Sequence, residues 1–212
     1  MNTKSEDLFE AFLTQEGVEF SRIGEAQNQK GEHRPDYLIE LRTSQLIFEV
    51  KQLGDDVAAE PAQREEGWSS TPGEALRQLI TRSKKQIQYG ASLGIPSILL
   101  VFNNTDPVFQ TRGTDTFDFE TAMHGQLTML IDKQADTSSE FFHGRKSELQ
   151  ENKNTSFSGV GHLSNRNGMI TVTLWQNAFA KLPLPFDQIP PCFTVQRVEI
   201  NNRPLQFASA RN

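Results

Sequence analysis

The chain has 212 residues, with 21 lysines and arginines against 27 aspartates and glutamates, for a net charge of −6. That length suits one ordinary core. A single cysteine, Cys192, excludes an internal disulfide, and the lack of any run of 18 apolar residues argues against a membrane-spanning helix. So acidic a chain is unsuited to coating polyanions indiscriminately, because phosphate contacts need Lys and Arg; a local basic patch, or a metal ion set against the site's carboxylates, still leaves room for an enzyme acting on nucleic acid.

The first stretch, MNTKSEDLFEAF, lacks the basic segment and apolar core of a secretory signal, so a cytoplasmic location is expected. Residues 3–16 read as a helix. Thr3 and Glu6 have capping-box spacing, Leu8, Phe9, Phe12 and Leu13 form an apolar stripe, and Gly17 can end it. VEFSRI is a short strand candidate, GEAQNQKGEH is a polar connection, and a hairpin follows over 34–53. Residues 54–73 form a polar connection of about 20 residues, including Trp68, longer than compact domains normally use. A helix is expected over 74–93, with Leu76, Leu79, Ile80, Ile87 and Ala91 on one face and Gly94 and Pro96 stopping it. PSILLVFNN then reads as a strand buried on both faces, which implies a mixed sheet with a helical crossover. In the second half, FDFETAMHGQLTMLID suggests a short helix and then a strand. Residues 134–157 look like loop, SGVGHLSNRNGMITVTLW is a hairpin turning at NRNG, and CFTVQRVEI is a last strand. No repeat or composition break divides the chain. A single domain over 1–212 is expected, with an α/β core at about 3–104 and a β-rich C-terminal extension at about 105–212.

The hairpin RPDYLIELRTSQLIFEVKQL carries charges that its folding does not need. With a turn centred on Thr43 and Ser44, Asp36 faces Lys51, Leu38 faces Glu49 and Glu40 faces Ile47. One side then holds Tyr37, Ile39, Leu41, Leu46, Phe48 and Val50, all apolar. The other gathers Asp36, Glu49 and Lys51. Two close carboxylates raise each other's pKa unless a cation sits between them, and a hard divalent ion such as Mg²⁺ takes oxygen ligands. Two acids, a lysine and such an ion suffice to hydrolyse a phosphodiester. The plainer reading is a solvated strand face with an Asp36–Lys51 salt bridge.

At these residues the sequence resembles the PD-(D/E)xK nuclease superfamily, whose fold is restriction-endonuclease-like. Pro35-Asp36 matches the PD, and Glu49-Val50-Lys51 matches ExK on the next strand, with a helix before the hairpin and a helix and buried strand after it. The resemblance covers about residues 3–104. It implies a central mixed sheet flanked by helices and Mg²⁺-dependent cleavage of DNA, less often RNA, with Mn²⁺ a candidate substitute. Asp36 and Glu49 would be the metal ligands and Lys51 the catalytic lysine. An acidic residue from the first helix would join them, Glu6 before Glu10, although Glu6 also fits its capping role. Arg82, Lys85 and Gln86 on the following helix could hold phosphate or water, Gln86 being the residue carried into the site; an ordinary solvated basic face is the alternative.

Four histidines, His33, His124, His143 and His162, lack metal-ligand spacing, and only His33, three residues before Asp36, is placed to reach the site mouth. Cys192 has no general base nearby in sequence and reads as structural. The expected protein is a Mg²⁺-dependent endonuclease acting on DNA, forming a homodimer to cut both strands and working with protein partners, for example in DNA repair, mobile-element biology or phage defence. The alternatives are a non-catalytic nucleic-acid- or protein-binding subunit of the same fold, and a nuclease that cleaves RNA.

Overall fold

The computed structural model describes residues 2–23, 33–54, 71–104, 114–134, 136–139 and 141–197. Within them the chain is α/β, built on a seven-stranded mixed sheet. Helix α1 (Lys4–Gln15) is followed by β1 (Phe20–Arg22), β2 (Tyr37–Glu40) and β3 (Gln45–Leu53), then by α2 (Glu74–Arg82), α3 (Lys84–Ser92) and β4 (Ser97–Asn103). Next come α4 (Thr116–His124) and the short strands β5 (Leu127–Thr128), β6 (Ile131–Asp132), β7 (Thr137–Ser138) and β8 (Phe142–His143). Last are β9 (Phe157–Arg166), β10 (Met169–Gln176) and β11 (Phe193–Gln196).

The order across the sheet is β1-β2-β3-β4-β9-β10-β11. Strands β3, β4 and β9 run parallel at its centre, as do β10 and β11; β1-β2, β2-β3 and β9-β10 are antiparallel. The parallel centre follows from sequence: all seven residues of β4 are buried, as a strand covered on both faces must be. The strands expected to form a C-terminal extension are part of this same sheet. Most of the long polar connection, including Trp68, lies outside the described residues.

Alternation along β3 separates two apolar layers. Phe48 and Val50 face α1, where the Phe9 ring centroid lies 5.1 Å from Phe48 and 5.4 Å from Tyr37. Phe193 of β11 closes the same layer against Phe48 and Phe12 at 5.9 and 5.3 Å, so the phenylalanine content serves the core there. Ile47 faces α3: a Cβ on Gly90 would stand 3.0 Å from Ile47 Cδ1 and 2.3 Å from Ser97 Oγ, so glycine is what lets this helix settle on the sheet. Leu53 joins Leu76, Ile80 and Phe119 in that second layer. Helix α1 has the expected capping box between Thr3 and Glu6. The NRNG turn puts Asn167 at φ 53° and Gly168 at φ 83°, the two positive values a primed hairpin turn requires.

Three local expectations are corrected. The hairpin register is shifted by two: Tyr37 pairs with Phe48 and Ile39 with Leu46, and the turn is centred on Arg42 and Thr43, closed by Leu41 N to Ser44 O at 2.9 Å. Gln188 fixes this turn from outside, its Oε1 accepting from Thr43 N (3.1 Å), Thr43 Oγ1 (3.0 Å) and Ser44 Oγ (3.0 Å). A shift of two keeps every side chain on its expected face. The helix over 74–93 breaks at Ser83, where φ is −85° and ψ 1°, so Arg82 and Gln86 belong to different helices. Residues 134–157 contain β7 and β8, which pair with β6 and β5.

Phe48 is fully buried between Phe9 and Phe193. Phe48→Ala is expected to lower unfolding free energy by about 3–5 kcal/mol, read from urea denaturation; a loss under about 1 kcal/mol would contradict this packing.

Candidate active site

The β2–β3 ladder ends at Tyr37, and Asp36 stands in a bend just before it. Its backbone N–H donates to Phe48 O at 3.1 Å, and its Oδ2 accepts from Val50 N at 2.7 Å. Asp36 is therefore bonded to the residues on both sides of Glu49, the carboxylate replacing a ladder acceptor. Proline at 35 cannot continue the ladder with a donor of its own, which suits a strand that gives way to a side-chain bond here.

Glu49 is 1% exposed, although the sequence pattern alone also allowed a solvated face. Its Oε1 forms an ion pair with Lys51 Nζ, and apart from Lys51 and the neighbouring Asp36 carboxyl neither Glu49 oxygen has a hydrogen-bond partner among the described residues. The Lys51 side chain is 33% exposed, so the open approach to this group runs over the lysine. The salt bridge expected between Asp36 and Lys51 is thus made by Glu49 instead.

Electrostatics follow from burial. Glu49 is pushed up to about 8, first by burial and then by the Asp36 charge, with Lys51 opposing. Asp36 is raised by burial, against the Val50 N–H bond and Lys51. Burial works to lower the Lys51 pKa, but the contact and charge of Glu49, and then Asp36, hold it above the ordinary lysine range. With Lys51 an ammonium and Glu49 holding its proton at neutral pH beside the Asp36 charge, the trio has no net charge. That cancellation is what makes two acids and an amine tolerable under the sheet's helical cover.

Glu6 adds to the negative field at Asp36 and Lys51, but its carboxylate is engaged at the helix end by Thr3. Glu10 is turned away: its Oε1 pairs with Arg22 and accepts from Tyr37 OH at 2.9 Å. Gln86 is half-buried on α3, with Oε1 lacking a hydrogen-bond partner. Arg82 and Lys85 are exposed, and so is His33. Arg34, next to the PD pair, lies over the Tyr89 ring of α3 at 5.7 Å, a contact that ties the start of β2 to the helix layer.

Among the described residues no group of three or more His, Cys, Asp or Glu side chains is arranged as a metal-ligand set. His124 and His143 approach each other, their rings 5.8 Å apart, which their spacing in sequence did not suggest. Cys192 packs at the edge of the α1-side core, and burial raises its thiol pKa. No helix among the described residues is long and apolar enough to cross a membrane. No family model, curated protein or solved structure matches the chain.

The Glu49 carboxyl has a sign that can be checked. Its ordinary value of 4.5 rises to about 8 on folding, so its contribution to stability is complete below pH 4.5 and is lost as pH climbs through 8. His124 and His162, held near 4 by burial, act oppositely, but their contribution is already complete above pH 6.5. Between pH 6.5 and 8.5 the melting temperature of metal-free protein is expected to fall, and Glu49→Gln to flatten that slope. Equal slopes in both proteins would contradict the assignment.

Proposed function

We propose that this chain is a divalent-metal-dependent endonuclease that hydrolyses DNA phosphodiesters at Asp36, Glu49 and Lys51, on a restriction-endonuclease-like core. The observation that carries the reading is the Glu49 carboxyl: buried, crowded by the Asp36 carboxyl, and answered by one cation, Lys51, with no other partner for its oxygens among the described residues. A structural glutamate on a sheet would be expected to satisfy its oxygens or to reach solvent. The order helix, hairpin, helix and buried parallel strand adds support, since the resemblance implies the same succession.

The donor set fits a hard divalent ion. Asp36 and Glu49 would hold Mg²⁺ or Mn²⁺, both offering oxygen and both raised in pKa, first by burial. When bound, such an ion supplies Lewis acidity toward a phosphate oxygen and a more acidic water. The chain's own groups do the rest. The Val50 N–H fixes the Asp36 carboxylate, and the two bonds around Glu49 keep both acids on one side. Glu49 would have to lose its proton to hold such an ion, so binding would release protons below about pH 8. Lys51, held as an ammonium, donates to an anionic phosphate oxygen and stabilises charge that builds there. Its exposure relative to Glu49 gives the substrate a side from which to enter.

Because Glu6 and Glu10 are both engaged locally, the site offers two carboxylates rather than three, which is the feature favouring a non-catalytic subunit as the competing reading. One assay separates them. Supercoiled plasmid, linear duplex and RNA are incubated with wild type, Lys51→Ala or Asp36→Asn, in Mg²⁺ or EDTA. Cleavage of DNA is expected in Mg²⁺ alone, with each substitution reducing it by about 100-fold or more while circular dichroism and melting temperature stay those of a folded protein. Residual activity equal in all three proteins would overturn the proposal. Mg²⁺ affinity of wild type, followed by calorimetry, is expected to rise by up to about tenfold per pH unit below pH 8 and to level above it; a flat profile would contradict Glu49 as a ligand.

A further inference from the structure

The β9–β10 hairpin extends past the end of β4: the last β4–β9 pair is Phe102 with Leu163, whereas β9 runs on to Arg166. Its two sides differ. Leu163, Ile170 and Val172 belong to the α1-side core, which holds the hairpin in place. The opposite side carries His162, Ser164 and Arg166 at strand spacing, with Thr173, Thr171 and Met169 directly across from them.

That side is also the side of the candidate active site. Lys51 pairs with Val101, and Val101 pairs with His162, so all three project from one face. Two strand spacings separate Lys51 from His162, about 10 Å, and four further residues along β9 bring Arg166 to about 16 Å from Lys51. The helical cover ends at His162, whose ring lies 5.7 Å from Phe119 of α4. Beyond it Ser164 is half-exposed, and Thr171 and Arg166 are exposed. A shallow hollow opens there, lined by Asn103, His162, Ser164, Asn165 and Arg166 among others, none of them acidic. Among the described residues no carboxylate pairs with Arg166.

An open sheet face bearing a guanidinium, hydroxyls and amides suits a phosphodiester backbone. Arg, Ser, Thr and Asn are the usual partners of phosphate oxygens, and Arg meets them with two parallel donors. In a chain of net charge −6, a stretch with no acid among the described residues lining it, within about half a duplex turn of the scissile position, is where such a backbone could rest. We propose that the projecting end of the β9–β10 hairpin is a backbone-binding surface for the polynucleotide, with Arg166 as its phosphate contact and Ser164 and Thr171 beside it. This rests on the nuclease reading for the identity of the polymer.

The test measures binding apart from cutting. In a Lys51→Ala background, fluorescence anisotropy at 100 mM salt gives Kd for a labelled 20-base-pair DNA duplex and for a labelled RNA of the same sequence. Arg166→Ala is expected to raise Kd about tenfold on whichever polymer binds, and to reduce the slope of log affinity against log salt by about 0.9, one phosphate contact. Arg166→Lys should restore most of the slope, and both variants should melt like their parent. Unchanged Kd and slope would overturn the proposal. Cleavage by wild type together with indifference to Arg166 removes this surface and leaves the active site standing. Arg166-dependent binding by a wild-type protein that does not cut removes the nuclease reading and keeps the surface.

Discussion

Burying Glu49 between Asp36 and Lys51 is the constraint around which this end of the molecule is arranged. Two acids and an amine under a helical layer are tolerable only while their charges cancel. Here they cancel through one retained proton and one ammonium, with Lys51 and the Asp36 carboxyl the sole partners of the buried Glu49 oxygens among the described residues. On the reading proposed above, an added cation would take the place of the proton that Glu49 retains.

The rest of the sheet supports that arrangement. Phe48 and Val50, the neighbours of Glu49 in sequence, are locked into the α1-side core, so the strand cannot roll to expose its acid. Gly90 lets α3 close over Ile47 on the acid's own side. Gln188, more than 140 residues away in sequence, braces the hairpin turn by accepting three hydrogen bonds. Asp36 then reaches both neighbours of Glu49 through its backbone and its carboxylate. Packing, turn and side-chain bond all converge on the geometry of one carboxylate pair.

Much of this was legible in the sequence because it depends on short-range alternation. The faces of β3, the buried β4, the capping box at Thr3 and the Asn167-Gly168 turn each follow from local pattern. What was not legible depends on distant parts of the chain. The turn of the shifted register is bonded to Gln188, which no local rule places beside Thr43. The break at Ser83 interrupts a continuous apolar stripe, so periodicity gives no warning of it. The Glu49–Lys51 pairing follows from the same register shift, which sets Asp36 across from Glu49 and leaves Lys51 to reach along the strand. The polar face of β9 did leave a signal, His162, Ser164 and Arg166 at alternate positions; it stayed unread because its meaning depends on β9 lying two strands from Lys51.

The most direct test of the central claim is an anomalous difference map from crystals soaked in Mn²⁺. The account predicts a peak between Asp36 and Glu49, within about 2.0–2.3 Å of an oxygen from each, and a Lys51 ammonium moved off Glu49 toward the open side. A map without that peak at saturating Mn²⁺, with Lys51 still paired to Glu49, would contradict it: the trio would then be a self-neutralised structural cluster rather than a site awaiting a cation.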